Sequence, residues 1–191
     1  MAAVPTPVRE QQRHDSWAAV QAAALALVSE RGFDAVTVDD VAAAAGVSRR
    51  TFFNHFPTKA AALFDPHPDD AEALQQLLAD ADTSAGVWSA LRRVCLDFVD
   101  AQTVALPVRR RLVGDPELDA YHRTAHLHVG QAVESWTAAQ LPDDPFTAQL
   151  VAETAAAVLM TAFLAWDPAD PPQRFAELVA RGFDLVGTGF A

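Results

Sequence analysis

Residues 37–56 read TVDDVAAAAGVSRRTFFNHF, and no other stretch constrains the fold as tightly. A hydroxyl at Thr37 followed by carboxylates at Asp39 and Asp40 is a helix start. The side-chain oxygen accepts from first-turn amides, and acids there meet the positive end of the helix dipole. Val38, Val41, Ala42 and Ala45 follow at helical spacing. Gly46 ends that helix, because glycine enters the left-handed region without a Cβ clash. Ser48 caps a second helix, Arg49 to His55, with Thr51, Phe52 and Phe56 at inward positions and Val47 filling the angle between the helices. Pro57 breaks the chain, Thr58 caps again and Lys59 opens another helix. Two short helices joined through a glycine turn form a helix-turn-helix. Its second helix fits the ~12 Å major groove of duplex DNA and presents its N-terminal side chains to base edges.

The rest of the chain also reads as helix. Alanine is abundant, β-branched residues stand singly, and apolar residues recur every three or four positions. The first helix is expected from about His14 to Glu30, capped by Asp15 or Ser16, with Trp17, Val20, Ala24, Leu27 and Val28 on one face and Gly32 at its end. Pro66 and Pro68 interrupt the pattern. They suggest a three-helix N-terminal domain over 1–65 and a helical bundle over 66–191. In the bundle, helices are expected at about 69–82, 84–104, 107–113, 116–140, 145–166 and 172–188. Asp115-Pro116 and Asp144-Pro145 combine a cap with a proline at the first helical position. The expected fold class is all-α, with about nine helices. Leu150 to Trp166 is the most apolar run, but it contains Glu153 and is shorter than the ~20 residues of a membrane span. A buried core helix is the expectation. Met1 to Arg13 is polar and lacks the apolar stretch of a signal peptide, so the expected setting is the cytoplasm, without a membrane.

The formal charge of −11 argues against nucleic acid when averaged over the chain. By segment it does not. Residues 1–65 hold six basic and seven acidic side chains, residues 66–191 eight and eighteen. Between Val41 and Phe64 there is no acid, while Arg49, Arg50 and Lys59, the one lysine of the chain, are all present. Either arginine can pair bidentately with guanine or with phosphate. Asn54 and His55 follow about a turn later, where the histidine can also act as a helix cap. Thr37 and Lys59 stand at helix starts, where amides and the dipole favour a phosphate. The acidic remainder repels the duplex, so affinity is expected to depend on these few residues.

The stretch GFDAVTVDDVAAAAGVSRRTFFNHFPTKAAALF resembles the DNA-binding domain of TetR-type transcriptional repressors. The resemblance is close over roughly residues 14–64 and elsewhere lies in length and helix pattern. Thr37, the run Ala45 to Ser48, Phe53, Phe56 and Lys59 fill the family's pattern positions. Two positions depart from it. Phe53 stands where tyrosine is usual, which removes a phenolic phosphate contact, and His55 stands where a second tyrosine is common. The resemblance implies a DNA-binding set of Thr37, Ser48, Arg49, Arg50, Thr51, Phe53, Asn54, His55 and Lys59. It also implies a homodimer formed by the last two helices and a small-molecule effector in the C-terminal domain. Such a protein is a ligand-responsive regulator, most often a repressor, released from a palindromic operator when the effector binds.

Trp88, Cys95, Phe98, His122, Trp136 and Phe163 are the pocket candidates for an apolar or aromatic effector, with core packing as the alternative for each. Cys95, the sole cysteine, has apolar neighbours and is expected to be buried and inert. His122 and His126 share a helix face near His128, yet no HExxH pattern accompanies them. No metal and no cofactor are expected. Arg109, Arg110 and Arg111 read as a solvated face with ion pairs to Asp115 and Glu117. No catalytic motif such as GxSxG, a P-loop or GxGxxG is present, so an enzyme is not expected. The alternatives are a helical binder or enzyme keeping an unused helix-turn-helix, and a protein-interaction adaptor.

Overall fold

A computed structural model of the chain describes residues 7–66, 70–101, 105–114, 118, 121 and 127–188. Among the described residues the regular structure is entirely α-helical, as expected. The helices are α1 (Pro7–Arg31), α2 (Val38–Ala44), α3 (Arg49–His55), α4 (Lys59–Phe64), α5 (Asp70–Ala79), α6 (Val87–Ala101), α7 (Leu106–Arg111), α8 (Leu127–Gln140), α9 (Pro145–Ala165) and α10 (Pro172–Thr188). They form two compact units. One comprises Met1–Pro68 and Leu112–His122, the other Asp69–Arg111 and Arg123–Ala191.

In the first unit, α1 begins well before His14. Asp15 and Ser16 are therefore not caps but lie inside the helix. Asp15 accepts from Gln11 Nε2 at 2.9 Å, and the Ser16 hydroxyl donates to the Arg13 carbonyl at 3.0 Å. The early turns escape a periodicity reading because Arg9 to Gln12 are polar, though good helix formers. The inward face holds Trp17, Val20, Ala24, Leu25 and Val28, while Leu27 is half-buried. Gly32 closes α1 at φ +80°, and its amide donates to Val28 at 2.9 Å. Against this face pack α2, α3 and α4. Trp17 meets Phe56 at 5.0 Å between ring centroids, Phe56 meets Phe52 at 5.9 Å, and both phenylalanines are fully buried. Gln21 Nε2 donates to the Asp65 carbonyl at 2.9 Å. Thr58 caps α4 and its hydroxyl also donates to the Tyr121 hydroxyl at 3.1 Å, 63 residues later in the chain.

In the second unit, α8 packs on α9, α9 on α10 and α10 on α6, while α5 contacts both α6 and α8. Asp144 caps α9 by accepting from the Thr147 amide at 3.0 Å, with Pro145 at the first helical position. Asp115, Pro116 and Glu117 lie outside the described residues. The apolar helix α9 is not buried on all sides. Ala148, Ala152, Ala155, Val158, Ala162 and Phe163 face inward, while Phe146, Leu150, Met160 and Leu164 are exposed. By length and composition α9 could cross a bilayer. Its stripe of small residues is nonetheless used to pack closely within the unit.

The three arginines of α7 do not form a solvated face. Arg109 is buried, and Arg110 donates Nη2 to the Leu164 carbonyl at 2.6 Å with its guanidinium 6.0 Å from the Phe163 ring centre. Only Arg111 is exposed. Burial of Leu106 and Val108 sets the rotation of this short helix, and a helical step carries the next residue inward with them.

The α9–α10 contact is close at Gly182, where an added Cβ would stand 2.7 Å from Val158 Cγ1. Gly130, within α8, has nothing within 4 Å of the same position. Gly182→Val is expected to lower unfolding stability by about 1–3 kcal/mol through overpacking. Gly130→Ala should raise it by roughly 0.5–1 kcal/mol through helix propensity. Denaturant unfolding of both variants beside the parent checks the pair.

Candidate nucleic-acid interface and effector cleft

Each helix of the candidate interface is started by a local cap. Thr37 accepts from the Asp40 amide at 3.1 Å while Asp40 accepts from the Thr37 amide at 2.9 Å, a reciprocal capping box. The Thr37 hydroxyl and amide hold the Asp40 carboxyl below its ordinary pKa. Gly46 turns the chain at φ +68°. Ser48 then caps α3, accepting from the Thr51 amide at 3.0 Å, with the two hydroxyls 2.8 Å apart. These bonds fix how α3 leaves the turn. Its inward positions are closed by Phe52 and by Phe56 just beyond its end, which leaves Arg49, Arg50, Phe53 and Asn54 on the outward side.

Arg49, Arg50, Phe53 and Asn54 are exposed, and Thr51 is half-buried. Phe53 is 45% exposed, large for an apolar ring, and the Arg49 guanidinium lies 5.5 Å from its centre. Arg49 Nη1 donates to both carboxylate oxygens of Asp39, at 2.8 and 2.7 Å. Arg50 has no ion pair among the described residues.

Two candidate residues have partners inside the unit. The Lys59 ammonium donates to the Phe33 carbonyl and, at 2.6 Å, to the Val36 carbonyl, and it sits 3.9 Å from the centre of the Phe33 ring. Two of its three donors thus tie down the loop between α1 and α2, and burial lowers its pKa. His55 Nε2 lies 2.8 Å from the Ser16 hydroxyl, joining the end of α3 to α1. Burial, with Arg13 nearby, lowers the His55 pKa from 6.5. Helical spacing in the sequence carries no trace of either contact, because the partners lie 23 to 39 residues away.

In the second unit a cleft of about 530 Å³ opens between α5 and α8. Leu74, Leu78 and Trp136 supply apolar walls, Gln75, Gln131, Ser135 and His128 the polar groups, and among the described residues no lysine, arginine or carboxylate lines it. Of the pocket candidates, Trp136 lines this cleft. Trp88 stacks on Phe183 at 4.6 Å and donates Nε1 to its carbonyl at 3.1 Å, and Phe163 packs 6.1 Å from Phe175. Phe98 is half-buried. Cys95 is buried, which pushes its thiol up to about 12 and keeps it protonated. His122 and His126 lie outside the described residues.

The model of bacterial regulatory proteins of the tetR family matches residues 21–65. A protein of Mycobacterium tuberculosis named as a mycofactocin biosynthesis transcriptional regulator, MftR, is 31% identical over 172 residues, covering 87% of this chain and 86% of that protein. The chain belongs to the TetR family of bacterial transcriptional regulators. Members of this family are regulators and not enzymes, which removes the enzyme alternative. Solved TetR-family structures share the fold. One from Syntrophomonas wolfei superposes with a TM-score of 0.72 at 15% identity, covering 95% of this chain and 98% of that one. Thermus thermophilus FadR, solved with lauroyl-CoA, gives 0.58 at 23% identity, covering 92% and 95%.

The position of His55 sets a pH dependence. With its pKa lowered in the folded state, the unfolded chain takes up the proton first as pH falls through 6.5. Stability is full above that value and declines below it until the folded His55 also titrates. Unfolding midpoints at pH 7.5 and 5.5 should therefore differ less in His55→Gln than in the parent.

Proposed function

We propose that this TetR-family regulator is a dimeric repressor that holds a palindromic operator through α3 and leaves it when an effector binds. The observation that carries the reading is the outward face of α3. Arg49, Arg50 and Asn54 are exposed on a helix whose start and burial are fixed by Ser48, Phe52 and Phe56. In this reading Arg50 and Arg49 meet base edges or phosphate, and Asn54 and Phe53 flank them. Ser48, Thr51 and Thr37 approach phosphates at the two helix starts. Lys59 and His55 hold the frame and offer what donors they have left.

The exposed apolar groups support a second copy of the chain as partner. Leu150, Met160 and Leu164 on α9 and Leu185 on α10 lie on the last two helices. Water-exposed groups of this kind on adjacent helices suit an isologous two-fold interface. The reading sets the protein in the cytoplasm, where its operator is. The effector site is the cleft between α5 and α8. The apolar walls of Leu74, Leu78 and Trp136 suit an apolar chain or ring, and the FadR complex makes a fatty-acyl thioester the first probe. Release follows if the effector binds the DNA-incompetent state more tightly.

Fluorescence anisotropy on the upstream intergenic duplex, run across a salt series, tests the reading. The parent should bind with steep salt dependence, and lauroyl-CoA should release it. Arg50→Ala should weaken operator binding by roughly 10- to 100-fold, corresponding to about 1–3 kcal/mol. Parent-like binding by that variant would remove α3 from the reading.

Leu150→Glu with Leu164→Glu should convert the dimer into monomer in sedimentation velocity and weaken operator binding with it. A dimer that survives both charges would place the interface elsewhere.

A further inference from the structure

We propose that Asp39 is a specificity-determining residue: its pairing with Arg49 suppresses binding to arbitrary duplex and presents the free edge of the guanidinium to a base. The inference rests on the DNA-binding reading above.

Asp39 makes none of the capping hydrogen bonds of α2. That work is done by Thr37 and Asp40. Asp39 instead reaches α3, ten residues along the chain, and both of its oxygens accept from the same Arg49 nitrogen, Nη1. The pair is open to water, with side chains 61% and 65% exposed. An ion pair so exposed adds little to fold stability. What it changes is the state of Arg49.

An arginine carries five N–H donors in a planar fork. Asp39 engages those of Nη1, and the Nε and Nη2 donors hold no partner among the described residues. That remaining edge has the two parallel donors that match the O6 and N7 acceptors of guanine. Phe53 lies beside the guanidinium, 5.5 Å from it, so the group is held by a carboxylate at one nitrogen and a ring beside it. The pair thus biases the orientation of the guanidinium before DNA arrives.

The same pair works against phosphate. Arg49 and Asp39 together are neutral, and a neutral pair releases no counterion when it meets the backbone. The carboxylate also repels any phosphate that approaches Arg49. A base edge that accepts from the free side of the fork needs no break in the pair. A phosphate that takes the whole guanidinium displaces Asp39. Discrimination thus comes from a repulsive group placed next to an attractive one.

The test compares the full-length parent with Asp39→Asn, Asp39→Glu, Arg49→Ala and the double variant Asp39→Asn/Arg49→Ala. Each is titrated against the footprinted operator and a scrambled duplex of equal length, from 50 to 300 mM salt. Asp39→Asn should tighten scrambled-duplex binding about 3- to 10-fold and change operator affinity less. The salt slope should steepen by about one per recognition helix. Asp39→Glu should restore the parent's ratio of specific to non-specific affinity. In the Arg49→Ala background, Asp39→Asn should gain little. An equal gain there would mean that any lost acid has the same effect, and would overturn the inference. So would an Asp39→Asn variant with the parent's slope and ratio. A parent that binds operator and scrambled duplex alike at every salt concentration overturns the DNA-binding reading, and this inference with it.

Discussion

The burial of Phe56 against Trp17, with Phe52 packed on Phe56, is the constraint on which the first unit depends. Both phenylalanines sit on or just after a helix of seven residues. A helix that short does not persist alone in water. It is held because its aromatic side meets α1, and its angle to α2 is set by the left-handed turn at Gly46. Once that side is closed, the opposite side can carry arginine and asparagine without a desolvation cost. The charges of α3 and its core residues are consequences of one packing decision.

Lys59 extends the same logic to the edge of the unit. A lysine near a DNA-binding helix invites a phosphate role, but this ammonium is engaged by loop carbonyls and an aromatic face. Removing it would leave two backbone acceptors without their charged donor and free the loop before α2. Framework and contact are therefore not separate properties at this residue.

Local cap signals in the sequence were reliable except at Asp15 and Ser16, which lie inside α1. The caps Thr37, Ser48, Thr58 and Asp144 act within three residues, and each forms the bond its residue type suggests. Signals failed where the partner is remote. The inward turn of Arg109 depends on what α7 packs against, and the Asp39–Arg49 pair joins two helices. The early turns of α1 were illegible because polar residues carry no apolar period. Among the described residues the cleft shares only Trp136 with the aromatic candidates, because composition does not distinguish a ring that packs on another ring from one that borders a void.

The short return of the chain over Leu112–His122 to the first unit has a consequence for synthesis. A ribosome delivers α1 to α4 early, but the hydroxyl that meets Thr58 belongs to Tyr121 and arrives only after α5, α6 and α7 have been made. The first unit is thus completed late, by a piece made after α5, α6 and α7. A fragment cut at Pro66 would contain the whole helix-turn-helix and still lack part of its own surface. The two units are thus interleaved along the chain.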